Sequence, residues 1–104
     1  MGKIKWTEKS IVHLQAIHEY IARDSKTYAT RFIQSLIKAT EKLEMMPLCG
    51  RIVPELERYG FREVMYRKYR IVYRLTDNDT IEILAVVHGA REIKKVLREE
   101  WELG

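Results

Sequence analysis

A chain of 104 residues can enclose one hydrophobic core but not two, so we expect a single domain spanning residues 1–104. Hydrophobic residues make up 46% of the sequence and charged residues 33%. No apolar run approaches the roughly 18 residues of a membrane span, and the first residues lack the apolar segment of a secretory signal. These features argue against a membrane protein and predict a soluble, cytoplasmic one.

The charge of the chain is positive and unevenly spread. Nineteen basic residues against fifteen acidic ones leave a formal net charge of +4, and the segment 51–74 is more basic than the whole chain. Clustered positive charge favours a polyanion or an acidic protein as partner over a role in solubility alone. The one cysteine, Cys49, cannot form an internal disulfide and has no Cys or His beside it, so we expect no metal site; no known cofactor motif is visible, so we expect no cofactor.

The first half of the sequence predicts a short strand and two helices. Residues 3–6 form the strand, and Thr7 offers the cap of a first helix that should end near Arg23. The segment 24–27 offers the cap of a second helix, which should end at residues 45–47 because Pro47 disfavours a helix before it. Apolar residues at helical spacing support both helices: Ile11, Leu14, Ile17 and Ile21, then Ala29, Phe32, Ile33, Leu36, Ile37, Thr40 and Leu43. The short link predicts an antiparallel hairpin.

The second half predicts three consecutive strands, at residues 61–67, 69–76 and 81–88, which should form an antiparallel meander. The connection before them, residues 47–60, is long for so small a domain, and its apolar side chains predict that it packs against the fold. A last short helix should begin at Arg91. The overall prediction is an α+β fold of order β-α-α-β-β-β-α, with the helical hairpin packed on the sheet.

Side-chain alternation along the strands assigns residues to two sheet faces. The apolar face, which should lie under the helices, contains Phe61, Met65, Tyr69, Ile71, Tyr73, Leu75, Ile81, Ile83, Ala85 and Val87. The second face contains Arg62, Val64, Tyr66, Arg70, Val72, Arg74, Glu82, Leu84, Val86 and His88. Its mixture of charged and apolar side chains suits either a working surface or an ordinary solvated face of an antiparallel sheet.

The order of elements occurs together with several short pieces of sequence: Trp6, residues 20–25, Gly50-Arg51, and residues 53–56, 62–64, 69–74 and 88–91. In this combination the chain resembles the RelE/ParE superfamily of toxins from type II toxin-antitoxin modules. The resemblance covers nearly the whole chain. It implies a small toxin that arrests growth when it is released from an antitoxin encoded beside it.

The resemblance leaves two targets open. ParE-like members inhibit DNA gyrase, whereas RelE-like members are metal-independent endoribonucleases that cleave mRNA on the ribosome. The strand at residues 61–67 lacks the paired lysines of RelE-like enzymes, and the last helix has Val96 and Leu97 where they have a tyrosine. These departures weaken the nuclease assignment, and residues 53–56, 62–63 and 88–91 look more like the ParE-like branch, whose members act on gyrase. With its antitoxin the protein could also bind operator DNA, or it could be an inactive remnant that only holds the antitoxin.

If the chain cleaves RNA, Arg70 and Arg91 match the arginines that RelE-like enzymes use to bind phosphate. By chemistry alone, His88 or Glu63 could serve as acid or base, although alternation places Glu63 on the helix-covered side. Further contacts to the substrate or target are expected from Arg51, Arg62, Tyr66 and Arg74. An antitoxin segment, or the last helix, should cover an apolar patch formed by Val64, Val72, Leu84 and Val86. We also expect Arg70→Ala to abolish toxicity and leave the fold intact.

Overall fold

The computed structural model describes residues 2–89, 93 and 95 of the chain. Its helices are α1 (Glu8–Ala22) and α2 (Lys26–Ala39), and its strands are β1 (Lys3–Trp6), β2 (Arg51–Ile52), β3 (Arg62–Tyr66), β4 (Tyr69–Leu75) and β5 (Thr80–His88). Two 3₁₀ segments lie at Glu41–Glu44 and Pro54–Tyr59, and we call the latter the covering segment. This arrangement confirms the predicted α+β fold. None of the described helices is long and apolar enough to cross a membrane.

The five strands form one sheet in the order β1-β5-β4-β3-β2. Strands β3, β4 and β5 form the predicted antiparallel meander, whereas β1 pairs with β5 in parallel, from Lys3 opposite Thr80 to Trp6 opposite Ile83. Strand β2 was not predicted, because its two residues carry no alternation pattern. It lies within the long connection and pairs with the start of β3.

Both predicted helix caps are confirmed. The Thr7 hydroxyl accepts a hydrogen bond from the Ser10 amide at the start of α1, and the Ser25 hydroxyl accepts one from Tyr28 at the start of α2. Helix α2 ends at Ala39, earlier than predicted, and the chain continues in the first 3₁₀ segment. The Thr40 hydroxyl donates to the carbonyl of Ile37 at 2.7 Å, which satisfies one of the carbonyls at that end.

The helical hairpin and one face of the sheet enclose the main core. Its buried members are Leu14, Ile17, Phe32, Leu36, Leu43, Val64, Ile71, Tyr73, Ile81, Ile83 and Val86. Most of the predicted stripes of both helices therefore face the sheet, whereas Ile11 and Ile37 are 43% and 37% exposed. The prediction is confirmed for Ile71, Tyr73, Ile81 and Ile83, which lie under the helices, whereas Leu75 at the end of β4 is 40% exposed.

The face assignment predicted for β3 is wrong throughout the strand. The turn between β3 and β4 has two residues, Arg67 and Lys68, and Tyr66 pairs with Tyr69, whereas the prediction continued β3 through Arg67. A shift of one residue moves every side chain to the opposite face. Arg62, Val64 and Tyr66 therefore lie on the helix-covered face, and Phe61, Glu63 and Met65 lie on the second face.

A β-bulge reverses the assignment in the second half of β5. Val72 pairs with Ala85 but Tyr73 pairs with Ile83, so Leu84 is an extra residue. Beyond it, Ala85 and Val87 lie on the second face, whereas Val86 and His88 lie on the helix-covered one, contrary to prediction. The assignment of Leu84 itself was right. The cause of this error is the single inserted residue, which the alternation of side chains in the sequence does not reveal.

The second face of the sheet is buried, and its cover comes from two parts of the chain. Its core contains Val53, Leu56, Phe61, Val72, Leu84, Ala85, Val87 and Ile93, with Tyr59 packed against them. Leu56 and Tyr59 belong to the covering segment, so the predicted packing of the long connection is confirmed. Ile93 is helical and fully buried. Arg91, the predicted start of the last helix, lies outside the described residues.

Candidate functional site

Arg70 lies at the centre of a charge network on the second face. Its Nε donates to Glu63 Oε1 at 2.5 Å, and its two terminal nitrogens donate to the two oxygens of Glu55 at 2.9 and 3.0 Å. Glu63 accepts a further hydrogen bond from Nε of Arg51 at 2.5 Å. Two arginines and two glutamates thus alternate in one chain of contacts, and their formal charges cancel. The network joins β2, β3 and β4 to the covering segment.

The network is buried at Arg70 and Glu63 and exposed at its two ends, Arg51 and Glu55. The Arg70 side chain is 6% exposed and that of Glu63 is fully buried, whereas the Glu55 side chain is 40% exposed. The hydrogen bonds from Arg70 lower the pKa of Glu55 to about 2, because they stabilise its charged form. The same pairing with Glu55 raises the pKa of Arg70 above its ordinary value. Both side chains are therefore ionised and mutually neutralised at neutral pH.

This geometry supports a structural role for Arg70. All three guanidinium nitrogens donate to carboxylates and the side chain is 6% exposed, so a phosphate would compete with Glu55 for Arg70 and meet the charge of Glu63. The sequence reasoning placed Glu63 on the helix-covered face, and the corrected register of β3 explains why it faces Arg70 instead. The phosphate-binding role of Arg70 and the acid or base role of Glu63 stay predictions.

The other predicted target-binding residues are dispersed. Arg62 donates to the carbonyls of Leu48 and Gly50, at 3.2 and 2.8 Å, and so holds the long connection. Arg74 forms an exposed ion pair with Glu82 at 2.6 Å. These contacts do not bring the two arginines together with Arg70 in one open cleft.

The predicted antitoxin-binding patch does not exist as a surface. All four of its residues are buried, and they lie on opposite faces of the sheet: Val64 and Val86 under the helices, Val72 and Leu84 under the covering segment and Ile93. The expectation that the last helix could cover the second face agrees with the position of Ile93. An antitoxin would have to bind the protein through other side chains, or displace this cover.

Two further predicted residues lie at the opposite end of the sheet from Arg74. His88 is exposed at the end of β5, with its ring 5.7 Å from that of Tyr69. Tyr66 contacts Phe32 edge-on, with ring centroids 5.3 Å apart. Arg91 lies outside the described residues. His88 and Tyr66 therefore share a neighbourhood that does not include the Arg70 network.

That neighbourhood is a groove of about 700 Å³, which the sequence reasoning missed. Its lining is aromatic and basic: Tyr20, Ile21, Tyr28, Phe32, Arg67, Lys68, Tyr69 and His88. We call it the aromatic groove. It lies where the turn between α1 and α2 meets the turn between β3 and β4. One feature of the sequence could have indicated this groove. Four tyrosines, Tyr20, Tyr28, Tyr66 and Tyr69, lie beside the two turns that the fold brings to one end of the molecule.

The turn between β3 and β4 holds two cations beside this groove. Arg67 has a backbone φ of 54°, a left-handed conformation that is unfavourable for a long side chain. Its guanidinium carbon lies 5.8 Å from the centre of the Tyr66 ring. Among the described residues, neither Arg67 nor Lys68 has a carboxylate partner. Both side chains are exposed at the edge of the groove.

The remaining chemistry of the described chain is limited. Across residues 2–89, 93 and 95, no group of three or more His, Cys, Asp or Glu side chains could hold a metal ion. Cys49 is exposed, as a free thiol. His18 Nε2 lies 3.3 Å from the Thr30 hydroxyl, in an exposed contact between α1 and α2.

A helical hairpin packed on a meander, with short strands added at both edges, is the architecture of the RelE/ParE class of small toxins. Residues 4–93 match the model of the family described as the ParE toxin of the type II toxin-antitoxin system parDE. This match covers most of the chain, so the protein belongs to the ParE toxin family and is a toxin of a type II toxin-antitoxin system.

A solved structure supports the fold. The chain is similar to one described as the "Chromosomal ParDE TA system from P. aeruginosa", with a TM-score of 0.68 and 22% identity. The similarity covers 85% of this chain and 96% of the other. At this identity the comparison establishes the shared fold only. Among curated proteins, none matches the sequence significantly.

Proposed function

We propose that this toxin arrests growth in the cytoplasm by inhibiting DNA gyrase, and that a cognate antitoxin protein neutralises it. Membership of the ParE family supports this proposal. The residues 61–67 support it as well, since they lack the paired lysines of the ribosome-dependent enzymes. Inhibition by binding requires no assembled catalytic group.

The observation that carries the proposal is the state of Arg70. Cleavage of RNA without a metal needs cations that stabilise the extra negative charge on the phosphate as the 2′-hydroxyl attacks. Arg70 is the residue best placed by resemblance to do this, yet Glu55 and Glu63 already bind all of its nitrogens. A binding mechanism is therefore favoured over a nuclease that uses this arginine.

The direct test is a supercoiling assay with purified gyrase, relaxed plasmid and the full-length toxin. We expect the toxin to reduce supercoiling or to trap cleaved plasmid, and an excess of the antitoxin encoded beside it to restore gyrase activity. Lys9→Gln is a suitable control, since it removes one exposed charge in the first turn of α1 and should leave inhibition unchanged.

A cellular experiment separates the two targets. Induction of the toxin alone should stop DNA synthesis before protein synthesis in pulse-labelled bacteria, with an SOS response. If protein synthesis stops first and mRNA is cut in the ribosomal A site, the gyrase proposal is wrong and the protein is an mRNA endonuclease. Unchanged gyrase activity in the purified assay would contradict the proposal independently.

A further inference from the structure

We propose that the aromatic groove binds single-stranded nucleic acid, with a base stacked on its tyrosine rings and a neighbouring phosphate held by Arg67 and Lys68. This site is separate from the Arg70 network and goes beyond the proposed inhibition of gyrase. It rests on the composition of the groove, the exposure of its tyrosines and the conformation of the turn at its edge.

The tyrosines at the end of the helical hairpin offer open rings. Tyr20 is 65% exposed and Tyr28 is 57% exposed, large fractions for aromatic side chains that flank a concave surface. Phe32, which is buried, supports this end of the groove, with its ring 6.1 Å from that of Tyr28 and 5.9 Å from that of Tyr69. The groove thus has an apolar floor and exposed aromatic walls.

Charge completes the chemistry of a nucleotide site. Arg67 and Lys68 line the groove, and Arg23 lies beside it, with its guanidinium carbon 5.7 Å from the centre of the Tyr20 ring. No carboxylate lines the groove among the residues that the structure describes. Cations beside stacking aromatic rings are the combination by which proteins bind single strands without reading a particular sequence.

The lining also distinguishes a nucleic acid from a peptide partner. An amphipathic helix lays an apolar face into a hydrophobic groove that takes its own apolar side chains. Here Ile21 is the single aliphatic side chain of the described lining, and every other member is aromatic or basic. Bases stack on aromatic rings, so the composition favours a nucleic acid over an acidic peptide.

The turn supplies an independent observation. Glycine would adopt the φ of 54° at residue 67 without steric cost, yet the chain has an arginine there. Strained backbone is a recurrent feature of functional sites, where the side chain is needed in spite of the conformation. Arg67 lies at the rim of the groove, so an arginine at this strained position places a guanidinium at the site.

The test measures the binding of full-length toxin to a fluorescein-labelled oligonucleotide of about 12 deoxythymidines, a length within the site sizes known for single-strand binding. Fluorescence anisotropy at several salt concentrations gives both the affinity and its salt dependence. We expect Tyr28→Ala to weaken binding about tenfold, the loss typical of one stacked base, and Tyr28→Phe to retain it. Both variants should keep the wild-type circular dichroism spectrum.

Substitutions of charge provide the second arm of the test. Arg67→Gly should weaken binding and reduce the slope of log affinity against log salt by about 0.7, the value for one lost phosphate contact on a single strand. Lys9→Gln removes the same charge at the other end of α1, about 16 Å from Tyr20 along the helix, and should leave the slope unchanged. An equal effect of both variants would mean general attraction to a basic protein and would overturn the proposal.

Three competitors complete the experiment. Thymidine monophosphate and the matching duplex should compete much more weakly than the unlabelled single strand. Equal competition by the mononucleotide would assign the groove to free nucleotides, and equal competition by the duplex or by polyglutamate would assign it to a general polyanion or an acidic peptide; any of these results overturns the proposal. Supercoiling assays on the same variants report gyrase inhibition separately, so failure here leaves that result unaffected.

Discussion

Arg67 and Arg70 lie three residues apart in the sequence, yet the fold places them in opposite circumstances. Arg70 is buried and surrounded by carboxylates, whereas Arg67 is exposed on a strained turn, with no carboxylate partner among the described residues. A buried cation whose three nitrogens all donate to carboxylates joins the parts of the fold that carry those carboxylates. A cation kept beside open aromatic rings can bind something else. Positive charge in a sequence therefore identifies a site only when the partners of that charge are known.

The comparison is sharpest within β4, where Arg70 and Arg74 lie on the same face and each pairs with glutamate. We expect Arg70→Ala to destabilise the protein by about 3–5 kcal/mol, because it leaves the buried Glu63 carboxylate with only Arg51. Arg74→Ala removes an exposed pair and should cost at most about 1 kcal/mol. Chemical denaturation of the two variants measures the difference.

This expectation differs from the one drawn from the sequence, in which Arg70→Ala leaves the fold intact and abolishes toxicity. A variant with wild-type stability and no toxicity would restore Arg70 as a functional residue. A variant that loses stability supports the structural role, and any loss of toxicity would then follow from unfolding.

Gly50 lies in the long connection, residues 47–60, and packs closely against β3 and Tyr73. A Cβ at this position would lie 2.6 Å from the carbonyl oxygen of Glu63 and 2.7 Å from the hydroxyl of the buried Tyr73. The Gly50 amide also donates to that hydroxyl, which itself donates to the carbonyl of Pro47. We therefore expect Gly50→Ala to cost about 1–3 kcal/mol through overpacking.

Thermal and chemical denaturation of Gly50→Ala would measure this cost. Ser35→Ala, at an exposed position in α2, is a matched control for adding or removing one small group and should have little effect. If Gly50→Ala is as stable as the wild type, the close approach of the connection to β3 and Tyr73 is not a constraint on the fold.

Glu55 makes the stability of the network depend on pH. Its pKa is lowered from 4.5 to about 2 in the folded protein, so its contribution is complete above pH 4.5 and is lost as the pH falls towards 2. Because the side chain is 40% exposed, solvent reduces the contribution to roughly 1 kcal/mol. We expect Glu55→Gln to flatten this part of the stability profile, measured by urea denaturation at pH 5, 3.5 and 2.5. If Glu55→Gln loses as much free energy of unfolding between pH 5 and 2.5 as the wild type, the acid sensitivity comes from other carboxyl groups.

Much of the fold could be predicted from the sequence because its signals are local. The caps at Thr7 and Ser25 and the apolar stripes of α1 and α2 depend on residues within one or two turns of a helix. The antiparallel meander followed in the same way from alternation between turns. These features required no knowledge of distant contacts.

The errors and omissions depend on contacts that the sequence does not display. One extra turn residue reversed β3, and the bulge at Leu84 reversed the end of β5. The reversal of β3 hid the pairing of Glu63 with Arg70, although both were candidate catalytic residues, Arg70 by resemblance and Glu63 by chemistry alone. The aromatic groove was missed because it combines two turns that are distant in the sequence and meet only in the folded chain.

Arg67→Gly gives the smallest effect and separates stability from binding. Glycine removes the cost of the left-handed conformation, about 1–2 kcal/mol, and part of this gain is offset by the greater freedom of glycine in the unfolded chain. We expect a net stabilisation of roughly 0.5–1 kcal/mol in urea denaturation, together with the weaker binding of single strands described above.

Lys68→Gly, at the neighbouring turn residue whose φ is not positive, should lose charge without gaining stability. If both variants are destabilised, glycine does not relieve strain at residue 67. The proposed retention of Arg67 for function would then be wrong. If only Arg67→Gly is stabilised, Arg67 places a cation at the groove although it makes the protein less stable. The arginines of the Arg70 network, in contrast, stabilise the fold.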